Sequence, residues 1–261
     1  MTLGAPLVIA SETESTNDDA KRGAREGVPH GAVWVAEVQT SGRGRQGRAW
    51  LSPPGENLLF SVLLRLRCAP ARVPPVSLAC GLAVRDAVAR ALGAGDADVV
   101  VKWPNDVLVR SARDGVLRKV AGILVESGIA GAKVEYVVVG IGINVHTRAL
   151  PEELTAIATS IALERDARAG GPLAALDRGE LLAEVLSNLD RDVEHVAHKG
   201  LGLIHSRLTR HDALFNQRVE STEGDLQGIA RGVDLEGRLL VECDDGSLKR
   251  ISSGEMRMRL A

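Results

Sequence analysis

Between residues 98 and 145 the chain runs through four strand-like stretches in close succession: "DVVVKW", "DVLVR", "VAGILVES" and "VEYVVVGIGINV". Apolar runs of this length, rich in valine and isoleucine and bounded by turn residues, read as strands. The junctions "RSARDGVLRK" and "SGIAGAK" read as hairpin loops, so neighbouring strands return antiparallel. Whatever else this chain does, it builds a sheet around these hairpins.

The flanking sequence adds to that sheet. "PLVIAS" and "AVWVAEV" (32–38) read as buried strands, and "NLLFSVLLRL" (57–66) as a third. "NDDAKRGAREG" predicts a polar-faced helix ending at Gly27. "PPVSLACGLAVRDAVARALG" predicts an amphipathic helix with prolines at its start and glycine at its end, and "RGELLAEVLSNLDRDVEHVAHKG" predicts another, with a short helix after it. From about Asn216 the pattern changes to short alternating segments at hairpin spacing, the signature of a small all-β unit. The expectation is a large α+β domain over 1–212, with a large mixed or antiparallel sheet packed with helices. A small C-terminal β-barrel follows over 213–261.

Composition excludes several classes. A net charge of −2 argues against a general nucleic-acid or membrane binder. Three scattered cysteines (Cys68, Cys80, Cys243) form no C-x-x-C; they fit thiols in a reducing cytoplasm and exclude a disulfide framework. The N-terminal stretch "MTLGAPLVIASETEST" lacks the basic start of a signal peptide, and no apolar run approaches the ~18 residues of a membrane span. Only six of the 32 basic residues are lysines, so a lysine at a candidate site marks a place where an ammonium is wanted.

Residues 42–48, "GRGRQGR", interleave three glycines with three arginines. Gly42, Gly44 and Gly47 spell G-x-G-x-x-G, but a dinucleotide loop requires a helix next, and Pro53-Pro54-Gly55 forbids one. RNA-binding Arg-Gly segments are repetitive and interleaved with aromatics, whereas this stretch is single and bracketed by strands. What remains is a strand–loop–strand flap. Its glycines allow close approach to an anion, Arg43, Arg45 and Arg48 supply charge, and Trp50 adds an aromatic face.

Other stretches carry candidate chemistry. "KWPND" sets Lys102 and Trp103 at a strand end, turns at Pro104 with Trp103 and Asn105 in a tight corner, and resumes at Asp106; a plain turn would use the same residues. "RKVAGILVES" puts Lys119 before a strand containing Gly122, and "GIGIN" ends in Asn144. Glycine inside a strand often marks close approach of a ligand. "SETESTND" holds Ser15, Thr16 and Asn17 before a helix, where an ordinary capping box is the competing explanation. No G-x-S-x-G, H-E-x-x-H or thiol–histidine constellation offers a covalent nucleophile.

Taken in order, "STN", "GRGRQGRAW", "KWPND" with "KVAGILVE", and "GIGIN" resemble the signature of biotin–protein ligases, and "GIARGVDLEGRLLVE" with "SSGEM" resembles that family's small last domain. The resemblance covers nearly the whole chain. It implies a class II aminoacyl-tRNA synthetase/biotin synthetase-like fold with an SH3-like C-terminal barrel. It also implies activation of biotin by Mg2+ and ATP to biotinyl-adenylate, then transfer to a lysine of a biotin carboxyl-carrier domain.

Residue by residue, the resemblance implies that Ser15, Thr16, Asn17 and Gln39 hold the ureido end of biotin, while the Arg43–Gly44–Arg45 flap closes over the intermediate. Lys119 meets the carboxylate or acyl-phosphate oxygens, with Gly122 beside it. Arg45, Arg48, Trp50, Asn105 and Asn144 border the adenylate, Lys102 faces the pyrophosphate, and Asp106 joins the catalytic set. The metal ligands stay unknown, with Mg2+ brought by ATP. The first strand begins near Met1, so the DNA-binding winged helix of bifunctional relatives is not expected, and the 106–119 loop looks longer than the family's usual hairpin. Lipoyl–protein ligase, which shares the catalytic fold, is the nearest alternative; a nucleic-acid module using the Arg-Gly loop is the other. Monomer and homodimer both stay open.

Overall fold

The computed structural model describes residues 3–95, 97–131, 133–224 and 226–258. Seven strands form one sheet: β1 (Leu7–Thr13), β2 (Val33–Gln39), β3 (Leu58–Leu64), β4 (Val99–Lys102), β5 (Asp106–Arg110), β6 (Leu117–Ala130) and β7 (Lys133–Ile143). Their spatial order is β1-β2-β3-β7-β6-β5-β4. β1 and β2 run parallel, joined by helix α1 (Thr16–Arg25), and the other pairs are antiparallel. Helices α2 (Val76–Leu92), α3 (Ile161–Ala169), α4 (Arg178–Lys199) and α5 (His205–Arg210) complete this part.

The period-2 alternation of the strands divides the sheet into two faces. Phe60, Val62 and Leu64 of β3 enter a large apolar cluster with Leu78 and Leu82 of α2 and Val185 and Leu189 of α4. Leu63 points the other way, into a smaller cluster with Ala20 and Ala24 of α1, Trp34, Tyr136 and Val138. Truncating such fully buried side chains typically costs about 2–5 kcal/mol, so this packing fixes which residues face which side. On β7, Val137, Val139, Ile141 and Ile143 fill the large core, which turns Gly140 and Gly142 toward the α1 face.

Strands β8 (Arg218–Ser221), β9 (Gln227–Val233), β10 (Leu239–Glu242), β11 (Leu248–Ile251) and β12 (Met256–Met258) form a second, antiparallel sheet in the order β11-β10-β9-β8-β12. It does not stand apart. Val219, Ala230, Leu239 and Val241 belong to the same apolar cluster as the large sheet, and Trp103 Nε1 donates to the Gly237 carbonyl at 3.1 Å. No helix among the described residues is long and apolar enough to cross a membrane.

Two expectations need correction. "PLVIAS" was expected to be a buried strand, but β1 is the outermost strand of its sheet and Leu7, Val8 and Ile9 are all exposed, Ile9 by 67%. An apolar run records β propensity, and position in the sheet then decides burial. Helix α3 was not anticipated. It is nine residues long with only Ile161, Ala162 and Glu164 buried, too short to show a clear period.

Candidate active site

Residues paired directly across antiparallel strands share a face, so the register lays out the floor of a cleft on the α1 side of the sheet. One row runs Leu59, Gly142, Gly122, Asp106, Lys102 across β3, β7, β6, β5 and β4; the next runs Ser61, Gly140, Leu124. Glycines in these rows leave room that other residues occupy. A Cβ on Gly142 would lie 2.6 Å from the Trp50 ring, and one on Gly122 would lie 2.9 Å from it. A Cβ on Gly140 would lie 2.2 Å from Asn17 Oδ1. The glycines therefore seat the tryptophan and the asparagine against the sheet.

The polar end of the cleft is built on the start of α1. Helices α3 and α4 begin conventionally, with the Ser160 and Asp177 side chains accepting backbone N–H bonds. Ser15 occupies the corresponding position of α1 and makes no such bond, so the capping-box explanation does not account for it. Ser15, Thr16 and Asn17 are all buried. Gln39 Oε1, at the end of β2, accepts from the Thr16 N–H at 2.8 Å and from its hydroxyl at 3.1 Å. Ser61 Oγ lies 2.7 Å from Thr16 Oγ1 and 2.6 Å from Asn17 Oδ1.

The flap folds over this cleft as a tight reversal. Trp50 N–H donates to the Gly42 carbonyl at 2.9 Å and Gly44 N–H to the Arg48 carbonyl at 2.7 Å. Gly47 has φ of 71°, in the left-handed region that favours glycine, and Gly42 admits no Cβ because the Trp50 carbonyl would lie 2.9 Å away. The three arginines take three directions. Arg43 forks onto Asp18 at 2.7 and 2.6 Å; this hydrogen bond holds Asp18 far below the usual carboxylate range and raises Arg43. Arg45 turns inward, its Nη1 3.3 Å from the Gly254 carbonyl and 3.5 Å from Asn105 Oδ1, and burial lowers its pKa. Arg48 forks onto Glu255, with one bond of 2.8 Å, and that bond lowers the Glu255 pKa.

At the far end, the β4–β5 turn carries Asn105, whose Nδ2 donates to the Ile123 carbonyl at 2.8 Å. Lys119 is held by its backbone: its N–H donates to Ile157 O at 2.8 Å, and its carbonyl accepts from Thr159 N–H at 2.9 Å. Its ammonium sits 2.7 Å from Asp106 Oδ1, off the angle of a true hydrogen bond, and 5.2 Å from the centre of the Trp50 ring. Burial depresses the Lys102 pKa, partly offset by Asp106 and Glu255. Trp50 Nε1 is buried without a partner, leaving a donor for a ligand.

Of the site residues that the resemblance implied, all but Asn144 line this one cleft. Asn144 was expected at the adenylate; it follows the end of β7, is buried, and its amide donates to the Thr159 carbonyl at 3.0 Å, in the segment that clamps Lys119. The 106–119 loop is mostly strand, with only residues 111–116 outside β5 and β6. Ser61, Glu126, Gly254 and Glu255 were not anticipated. Ser61 carried a signal, as the one hydroxyl inside an apolar run; Glu126 shares the strand alternation of Gly122 and Leu124.

A cleft with an arginine flap, two inward ammonium groups and an unpartnered indole donor suits activation of a carboxylate by a nucleoside triphosphate. The sequence matches the profile of the biotin/lipoate A/B protein ligase family over residues 9–144 and that of the biotin protein ligase C-terminal domain over 215–259. The chain belongs to the biotin/lipoate A/B protein ligase family. It is 36% identical to the bifunctional ligase/repressor BirA of Escherichia coli, over 99% of this chain and 75% of that protein. It is 35% identical to the biotin–[acetyl-CoA-carboxylase] ligase of Mycobacterium tuberculosis, over 96% of this chain and 88% of that one. Its fold is similar to biotin protein ligase from Aquifex aeolicus in complex with biotin and ATP, with a TM-score of 0.77 at 30% identity over 98% and 100% of the two chains.

Proposed function

We propose that this chain is a biotin–protein ligase. It joins biotin to ATP as biotinyl-5'-AMP and passes the biotinyl group to one lysine of a biotin carboxyl-carrier domain. The observation that carries this reading is the union of the polar pocket at Ser15–Asn17 with the cation-lined floor at Lys102 and Lys119, under one flap. A ureido ring needs donors and acceptors at one end of its site, and a carboxylate meeting a triphosphate needs cations at the other.

In the first step a biotin carboxylate oxygen attacks the α-phosphorus, and the bond to pyrophosphate breaks. Lys119 neutralises charge on the reacting oxygens, with the Gly122 backbone beside it, and Lys102 receives the departing pyrophosphate. Trp50 and Asn105 border the adenylate. Arg43 and Arg45 hold the flap over the mixed anhydride and keep water out. Magnesium would come with the nucleotide and would supply charge neutralisation at the phosphates.

In the second step the acceptor amine attacks the acyl carbon, AMP leaves, and the ammonium proton is lost. Asp106, beside Lys119, orients that amine and accepts the proton. The reaction is placed in the cytoplasm, where carboxylases and ATP meet.

The test is exchange of labelled pyrophosphate into ATP, with biotin, lipoate or neither. Exchange with biotin alone supports the reading, and exchange with lipoate alone replaces it by lipoyl ligation.

A further inference from the structure

Asn17 lies against the sheet with both ends of its amide engaged: Nδ2 donates to Glu126 Oε2 at 2.7 Å, and Oδ1 lies 2.6 Å from Ser61 Oγ. The ends of an asparagine amide are told apart by their partners, and an ionised carboxylate can only accept. Glu126 therefore compels the NH2 group to face it, and the carbonyl to face Ser61. Asn17 Oδ1 can only accept in turn, so Ser61 must serve as the donor between them. The same Ser61 hydroxyl faces Thr16 Oγ1 at 2.7 Å, so Thr16 accepts there and keeps its own proton for Gln39 Oε1 at 3.1 Å. Thr16 consequently offers its remaining lone pair to the cleft.

We infer that Glu126 is a positioning residue for biotin: it sets the donor and acceptor polarity of the pocket's polar end through Asn17, Ser61 and Thr16. The inference rests on the biotin reading given above. Glu126 is itself held in place, because Lys21 of α1 bridges it at 2.8 Å to Asp18, also at 2.8 Å, and Asp18 carries the flap residue Arg43, whose Nη2 lies 3.9 Å from Glu126. Burial of the Lys21 ammonium works against its charge, but its bonds to Asp18 and Glu126 prevail and raise its pKa. One carboxylate thus serves both the pocket wall and the root of the flap.

Glu126→Ala and Glu126→Gln separate this role from simple stability. Glu126→Ala should weaken biotin binding roughly ten- to a hundredfold by calorimetry, as removal of a charged hydrogen-bond partner does, with the KM for ATP unchanged. Glu126→Gln keeps an acceptor oxygen for Asn17 but loses the ion pairs, and should fall between Glu126→Ala and wild type. In ligand-free protein, the Asn17 side-chain NH2 resonances should exchange slowly in wild type and rapidly in Glu126→Ala. Unchanged Asn17 exchange, or biotin affinity unaltered despite lost stability, would overturn the inference. Failure of wild type to bind biotin would instead overturn the functional reading, and the amide exchange still decides the role of Glu126.

Discussion

Lys119 and Asp106 meet on the floor of the cleft, with Nζ 2.7 Å from Oδ1, although each is placed by a different device. Lys119 is fixed by backbone bonds to residues 157–159, and Asp106 by its register against Lys102 and Gly122. In the proposed mechanism the pair gives the two half-reactions separate residues. Lys119→Ala removes a preorganised cation and should lower biotin-dependent pyrophosphate exchange about a thousandfold, or about 3–4 kcal/mol. Supplied biotinyl-adenylate should largely restore transfer.

Asp106→Asn should behave in the opposite way. The acceptor lysine has a free pKa near ~10.4 and attacks only as the neutral amine, so losing the carboxylate should slow transfer while leaving exchange intact. Purified biotinyl-adenylate should not rescue this variant. Equal loss of both steps, together with a lower melting temperature, would reduce Asp106 to a turn residue.

The flap is latched from the second sheet, by Arg48 on Glu255 and Arg45 on the Gly254 carbonyl. Arg45→Ala should preserve the fold and release biotinyl-adenylate into solution, seen as biotin on bystander proteins. Glu255→Gln should increase protease cutting within 43–48, with biotin and ATP restoring part of the protection.

Gly142→Ala should damage the site without unfolding the protein. Its Cβ meets Trp50 at 2.6 Å, so the indole must shift from its seat beside Lys119. Overpacking of this kind costs about 1–3 kcal/mol. Calorimetry should show weakened nucleotide binding with the melting temperature lowered only slightly.

Asp212 predicts a pH dependence of stability. Its Oδ2 is buried without a partner, and burial raises its pKa from 3.8 to about 6 despite backbone bonds from Leu214 and Phe215. Between these values the folded chain binds more protons than the unfolded one, so this group favours folding at low pH and costs stability as pH rises through about 6. Asp212→Asn should therefore stabilise by about 2–3 kcal/mol at pH 7, with the gain fading toward pH 4 in denaturant titrations.

Much of this was legible in the sequence because it is local. The hairpins over 98–145 announce themselves by apolar runs and turn residues, and "GRGRQGR" between two strands predicts a flap. Gly140 and Gly142 alternate with Ile141 and Ile143, so one period-2 pattern encodes both core and cleft floor. What stayed hidden depends on distant register. Glu126 reaches Asn17 across 109 positions, and Glu255 reaches Arg48 across 207. Asn144 shares the parity of Gly140 and Gly142, yet it follows the end of β7 and its buried amide is spent on the Thr159 carbonyl, a partner that no local pattern announces.

The most direct measurement is a two-stage single-turnover experiment. The protein is mixed with biotin and α-labelled ATP, filtered to remove free nucleotide, and then given a carboxyl-carrier domain or its lysine-to-arginine variant. A two-step ligase retains label as biotinyl-AMP, then releases labelled AMP as the carrier's one lysine gains biotin, and does neither with the variant carrier. Retention of no adenylate, or release without acylation of that lysine, would contradict the assignment.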